Sequence, residues 1–97
     1  VSKLDWQECY RQAVEGIARL FYKAKSVHAD LSEYNLLFHE GKIVFIDVGQ
    51  AVSLSHPRAK EFLERDLKNI SNFFSKKGIV KGVQEIKEDL KKIKEEL

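Results

Sequence analysis

The stretch His28-Ala29-Asp30-Leu31-Ser32-Glu33-Tyr34-Asn35 is polar and loop-like. It runs into two short apolar segments, Leu36-Leu37-Phe38 and Ile43-Val44-Phe45-Ile46, and the second is followed by Asp47-Val48-Gly49. The second segment is β-branched, and His39, Glu40, Gly41 and Lys42 between the two read as a four-residue hairpin loop. In an antiparallel hairpin the start of one strand lies beside the end of its partner. The hairpin alone therefore predicts that Asn35, before the first strand, and Asp47, after the second, come close in space.

Amphipathic helices are predicted on either side. Over residues 5–24, Trp6, Tyr10, Ala13, Ile17, Leu20 and Phe21 recur at three- and four-residue spacing, while Arg11, Glu15 and Arg19 fall off that face. Asp5 is placed to cap this helix, and Glu8, three residues on, completes a variant of the capping box. Over residues 57–75, Pro57 suits the first turn, and Ala59, Phe62, Leu63, Leu67, Ile70, Phe73 and Phe74 share one arc. Asp66 falls inside that arc, and Gly78 after Lys76 and Lys77 marks the stop. Residues 79–97 carry Val83, Ile86, Leu90, Ile93 and Leu97 in a Lys/Glu background, which predicts a third helix docked on the domain rather than a coiled coil. The fold class is α+β, mainly helical, with one small hairpin, and residues 1–97 form a single unit.

Composition narrows the function classes. The chain has 97 residues and a net charge of +2, too close to balance for a strongly basic nucleic-acid binder. An apolar fraction of 43% argues against disorder. One cysteine, Cys9, excludes an internal disulfide and fits a reducing, cytoplasmic setting. No apolar run reaches the ~18 residues of a membrane span, so no membrane role is expected. A start at Val1 without any methionine suggests a chain cut from something longer.

The chemistry-bearing residues are Asp30, Asn35, Asp47 and Asp66. An aspartate on a rigid loop can accept a proton from an attacking hydroxyl. An amide oxygen and a carboxylate converging across a hairpin suit Mg²⁺, which favours hard oxygen ligands and keeps waters and phosphate oxygens besides. Gly49 permits a sharp turn after the metal ligand. Each piece alone has a plainer reading: Asp47-Val48-Gly49 as a turn, Asp30 as a cap or loop residue, Asn35 as a turn former, His28 as a packed structural group. The combination is what points to a site.

The pattern H-x-D-x-x-x-x-N followed by a strand and D-x-G resembles the catalytic and metal-binding loops of the protein-kinase fold. More specifically, H-A-D-L-S-E-Y-N, I-D-V-G-Q-A-V, H-P-x-A and E-R-D-x-x-N-I-x-x-F-F resemble the RIO family of atypical serine/threonine protein kinases, closest to its archaeal type-1 branch. Aminoglycoside-type phosphotransferases and the small Bud-type kinases share the H-x-D…N…D-x-G frame but not the other segments. The resemblance implies a kinase-like C-terminal lobe with ATP and Mg²⁺ as cofactors. Asp30 would be the catalytic aspartate, Asn35 and Asp47 the metal ligands, and Asp47 also a candidate acceptor of a transient phosphoryl group. Ser32 and Gly49 would lie near the nucleotide phosphates, and His28 and Asp66 would support the catalytic loop. It also implies a part in maturation of the small ribosomal subunit, on a pre-ribosomal particle. A non-catalytic binding module on such particles is the competing class.

Departures from ordinary protein kinases matter as well. Ala29 stands where many carry arginine, which predicts no cation beside Asp30 to receive an activation-loop phosphate. Ser32 replaces a common lysine, and only Gln50 to His56 separate Gly49 from Pro57, too few for a long activation loop. For Asp66, either the carboxylate reaches water or pairs with Arg65, or it accepts backbone N–H groups from the loop around His28–Asp30. Lys76, Lys77 and Lys81 read either as a solvated helix end or as a contact to ribosomal RNA phosphates. The glycines, at 16, 41, 49, 78 and 82, form no G-x-G-x-x-G, and no strand lysine precedes the first helix. The nucleotide-gripping N-terminal lobe is thus expected to be missing, the 97 residues alone to be inactive, and the first helix to expose apolar surface near Trp6.

Overall fold

Asp5 starts the first helix: its carboxylate accepts the N–H groups of Gln7 and Glu8 at 3.1 and 3.2 Å. The computed structural model describes residues 5–31, 36–39, 42–45 and 51–97, with the backbone path alone for the two short internal stretches. Helix α1 (Trp6–Ala18) buries Cys9, Tyr10, Ala13, Val14, Ile17 and Ala18. Glu8 does not close the expected capping box, because its carboxylate is taken by Arg11 and Gln12. Arg11 reaches on to Glu15, which also pairs with Arg19, so the solvent face carries a ladder of ion pairs. Such pairs contribute only a few tenths of a kcal/mol each, roughly. The Arg11 and Gln12 hydrogen bonds hold the Glu8 carboxyl at about 2, below its ordinary 4.5.

The helix then widens into one π-helical turn (Arg19–Lys23), closed by the Ala24 N–H on the Arg19 carbonyl at 3.0 Å. Lys25 has φ 52° and turns the chain into β1 (Ser26–Val27). A hairpin follows, β2 (Leu36–His39) with β3 (Lys42–Phe45), pairing Leu36 with Phe45 and His39 with Lys42. The ladder is one pair longer than the sequence predicts. Only Glu40 and Gly41 separate the strands, not four residues, in keeping with the preference of twisted strands for two-residue connections. Strand β4 (Val52–Ser53) then returns to pair antiparallel with β1.

Helix α2 (Ala59–Ser75) begins after Pro57 rather than with it. The turn before it is organised by His56, whose Nδ1 accepts the Arg58 N–H and whose carbonyl accepts the Ala59 N–H. The predicted arc buries Ala59, Asp66, Leu67, Ile70, Phe73 and Phe74, whereas Phe62 and Leu63 are only half-buried. At the far end Gly78 takes φ 86°, its N–H meets the Ser75 carbonyl, and the Ile79 N–H reaches back to the Phe74 carbonyl at 2.9 Å. This pair of bonds is a Schellman stop, with buried Ile79 and Phe74 as its apolar contact.

Helix α3 (Val83–Lys94) starts four residues later than predicted. The Ser71 hydroxyl holds the Lys81 carbonyl, which keeps the incoming segment out of the helix, and Glu85 accepts the Gly82 N–H at the cap. Ile86 and Leu90 are buried against the other two helices. The Tyr10 hydroxyl donates to Asp89 Oδ2 at 2.6 Å and its ring meets Phe74 edge-on, fastening α1 to both α2 and α3. Lys87 pairs with Glu64 to add a polar tie between α3 and α2.

Trp6 corrects one expectation. Its ring packs on the core rather than standing free, edge-on to Phe73 at 6.0 Å, with the Lys77 ammonium 4.9 Å over its face. Among the described residues no helix is long and apolar enough to cross a membrane.

Candidate active site

Ala29, Asp30 and Leu31 follow β1 and lie across the middle of α2. Leu31 is fully buried in the helical core and roots the segment there. Three side chains of α2 grip its backbone. Asp66, 1% exposed, accepts the Ala29 N–H on Oδ2 at 2.8 Å and the Leu31 N–H on Oδ1 at 3.0 Å. The Asn69 amide donates to the Leu31 carbonyl at 3.0 Å, and the Arg65 guanidinium donates to the Ala29 carbonyl. The N–H and C=O groups on both sides of Asp30 are thus held by residues of one helix, at positions one and three apart along one of its faces. The Asp30 N–H lies 3.3 Å from His28 Nδ1.

Ala29 takes φ 74°, a left-handed conformation. For a residue with a Cβ this costs about 1–2 kcal/mol, and it persists where neighbouring bonds over-determine it. Here they do. The tight bend presents Asp30 at an exposed position while its neighbours on each side, His28, Ala29 and Leu31, are buried. Burial pushes the Asp66 carboxyl above its ordinary value; the two N–H bonds and the nearby His28 and Arg65 pull the other way without cancelling it.

Asp30, His28 and Asp66 are brought together at this loop. Ser32, Asn35, Asp47 and Gly49 lie outside the described residues. What is described is the open end of the hairpin, the Leu36–Phe45 pair; in the sequence Asn35 immediately precedes Leu36 and Asp47 follows Phe45 by two residues. Among the described residues no three His, Cys, Asp or Glu side chains are grouped to hold a metal.

One expectation changes. Arg65 does not simply neutralise Asp66; its guanidinium reaches the Ala29 carbonyl. The residue types alone do not disclose this, because the partner is a backbone carbonyl 36 residues away. Asn69, within the E-R-D-x-x-N segment, stands three residues after Asp66 on the same helical face. Of the lysines near the α2 end, Lys77 packs on the Trp6 and Phe73 rings, and Lys81 lies over Tyr10 and pairs with Asp89 at 3.4 Å. Those two charges face the chain's own rings.

A mainly helical domain with a loop strapped across a buried helix and a small hairpin beside it is kinase-like in architecture. The family model described as the RIO domain matches residues 1–88, and the chain belongs to the RIO family. It is 54% identical over 83 residues to the RIO-type serine/threonine-protein kinase Rio1 of Thermoplasma acidophilum, covering 86% of this chain and 44% of that protein. The Rio1 of Haloferax volcanii is 51% identical over 72 residues, covering 74% of this chain and 24% of that protein. Human serine/threonine-protein kinase RIO3 is 44% identical over 81 residues, covering 84% and 16%. The chain therefore spans less than half the length of these curated relatives.

Proposed function

We propose that these residues form the catalytic lobe of a RIO-type serine/threonine protein kinase or ATPase that uses Mg·ATP. Asp30 serves as the base. As an acceptor oxygen bonds to the γ-phosphorus and the bond to ADP breaks, the hydroxyl proton passes to an Asp30 oxygen and then to water. Asn35 and Asp47 would hold the metal, which when bound neutralises charge on the phosphates. Ser32 and Gly49 would border those phosphates. None of the 97 residues forms a G-x-G-x-x-G lid, and no residue of this chain is assigned to the nucleotide grip. The observation that carries the reading is the Asp66, Arg65 and Asn69 grip on the backbone around exposed Asp30, in a chain of the RIO family.

The test is ADP release from Mg·ATP by the full-length protein and its Asp30→Asn variant. Loss of a positioned base lowers turnover by about 10²–10⁴-fold. Because Asp30 is exposed, the melting midpoint should stay near that of the wild type. Turnover unchanged in the variant would overturn the assignment. Action on a pre-small-subunit ribosomal particle is the part of this proposal that rests on the family resemblance. If Lys76, Lys77 and Lys81 touch ribosomal RNA, binding should weaken steeply with salt.

A further inference from the structure

Three peptide planes run from His28 to Leu31, and Asp66 grips only the outer two, through the N–H groups of Ala29 and Leu31. The middle plane joins Ala29 to Asp30 and carries the nitrogen from which the Asp30 side chain is built out. Its N–H is 3.3 Å from His28 Nδ1, a long contact, while its carbonyl is taken by Arg65. The Arg65 guanidinium carbon also sits 5.1 Å from the centre of the Phe62 ring, one turn back on α2, and stacking there limits its rotamers. Arg65 itself is an exposed residue, so the core does not need it. A planar, ring-stacked, always-charged donor aimed at one carbonyl suits the work of setting a peptide's orientation.

We infer that Arg65 is a positioning residue for phosphoryl transfer: from α2 it fixes the Ala29–Asp30 peptide in its left-handed setting and so aims the Asp30 carboxylate. This rests on the reading of Asp30 as the base. Loss of the Arg65 bond lets the Ala29–Asp30 plane tilt, between the outer planes that Asp66 still holds, towards the negative φ the Ala29 Cβ prefers, which turns Asp30 away from the acceptor. Glycine at position 29 has no such preference, so it should keep the bend without Arg65.

The experiment compares full-length wild type with Arg65→Gln, Ala29→Gly/Arg65→Gln and Asp30→Asn, following ADP release from Mg·ATP and the melting midpoint. Arg65→Gln should lower kcat about tenfold or more, since small misplacements of reacting groups are costly, with KM for ATP changed by less than about twofold. The double variant should recover most of that kcat, a rescue that a merely structural role would not give. Arg65→Gln with kcat within about twofold of wild type, beside an inactive Asp30→Asn, would overturn the positioning role and leave the Asp30 assignment standing. A kcat loss in Arg65→Gln that glycine at 29 fails to restore would also overturn it. An active Asp30→Asn would overturn both.

Discussion

The Asp66 carboxylate straddles Asp30: one oxygen takes the N–H of the residue before it and the other the N–H of the residue after it. One buried acid on a core helix thereby fixes the path of an exposed acid on a loop.

Asp66→Asn keeps the shape but exchanges one acceptor oxygen for an N–H donor, which would face a backbone N–H. Leaving a buried donor unsatisfied costs about 1–3 kcal/mol. The variant should melt several degrees lower and also turn over ATP more slowly, since the loop slackens with the helix contact. Urea unfolding paired with ADP-release assays on the same preparations is the check, and a thermally silent Asp66→Asn would contradict the anchor.

Tyr10 offers a test at alkaline pH. Burial first, and the hydrogen bond to Asp89 second, push its phenol above its ordinary value of 10. The unfolded chain loses this proton near 10 while the folded chain retains it. The stability contributed is therefore full below 10 and is lost as pH rises through the folded value. Chemical denaturation across the range above pH 10 should show a falling midpoint in the wild type and a flatter one in Tyr10→Phe.

Gly78 at φ 86° ends α2, and a Cβ built there meets nothing within 4 Å. The penalty for Gly78→Ala is thus backbone conformation alone, about 1 kcal/mol, and Gly78→Asn should cost less because Asn tolerates the left-handed region. Thermal melts of both variants check the order; equal midpoints for Ala and Gly would refute the Schellman stop.

Much of the fold was legible because it repeats. The helical period alone put Asp66 on a buried arc, and the alternation of apolar segments around Glu40-Gly41 gave the hairpin. The parts that escaped are those with no period to read. Strands β1 and β4 are two residues each, too short for a pattern, and exist because their partners meet in space. The late start of α3 depends on one Ser71 hydroxyl capturing a carbonyl ten residues on. At the loop, the Asp66 anchor was legible from its helical phase. Arg65 escaped because its target is a backbone atom, which carries no letter in the sequence.

The π-helical turn at Arg19–Lys23 sets a tolerance on chain length. It holds one residue more than an α-helical turn would need. Removing one residue there would leave an ordinary α-helical turn of nearly the same rotation, so the chain downstream keeps its facing, whereas a single deletion within α1 rotates it by about 100° about the helix axis. A deletion in α1 would turn Ser26 and Val27 away from Val52 and Ser53, and the loop that leaves β1 would arrive on the wrong side of α2. A single deletion in this turn should be tolerated where one within Trp6–Ala18 is not, so the turn acts as slack in the spacing between Ala18 and His28.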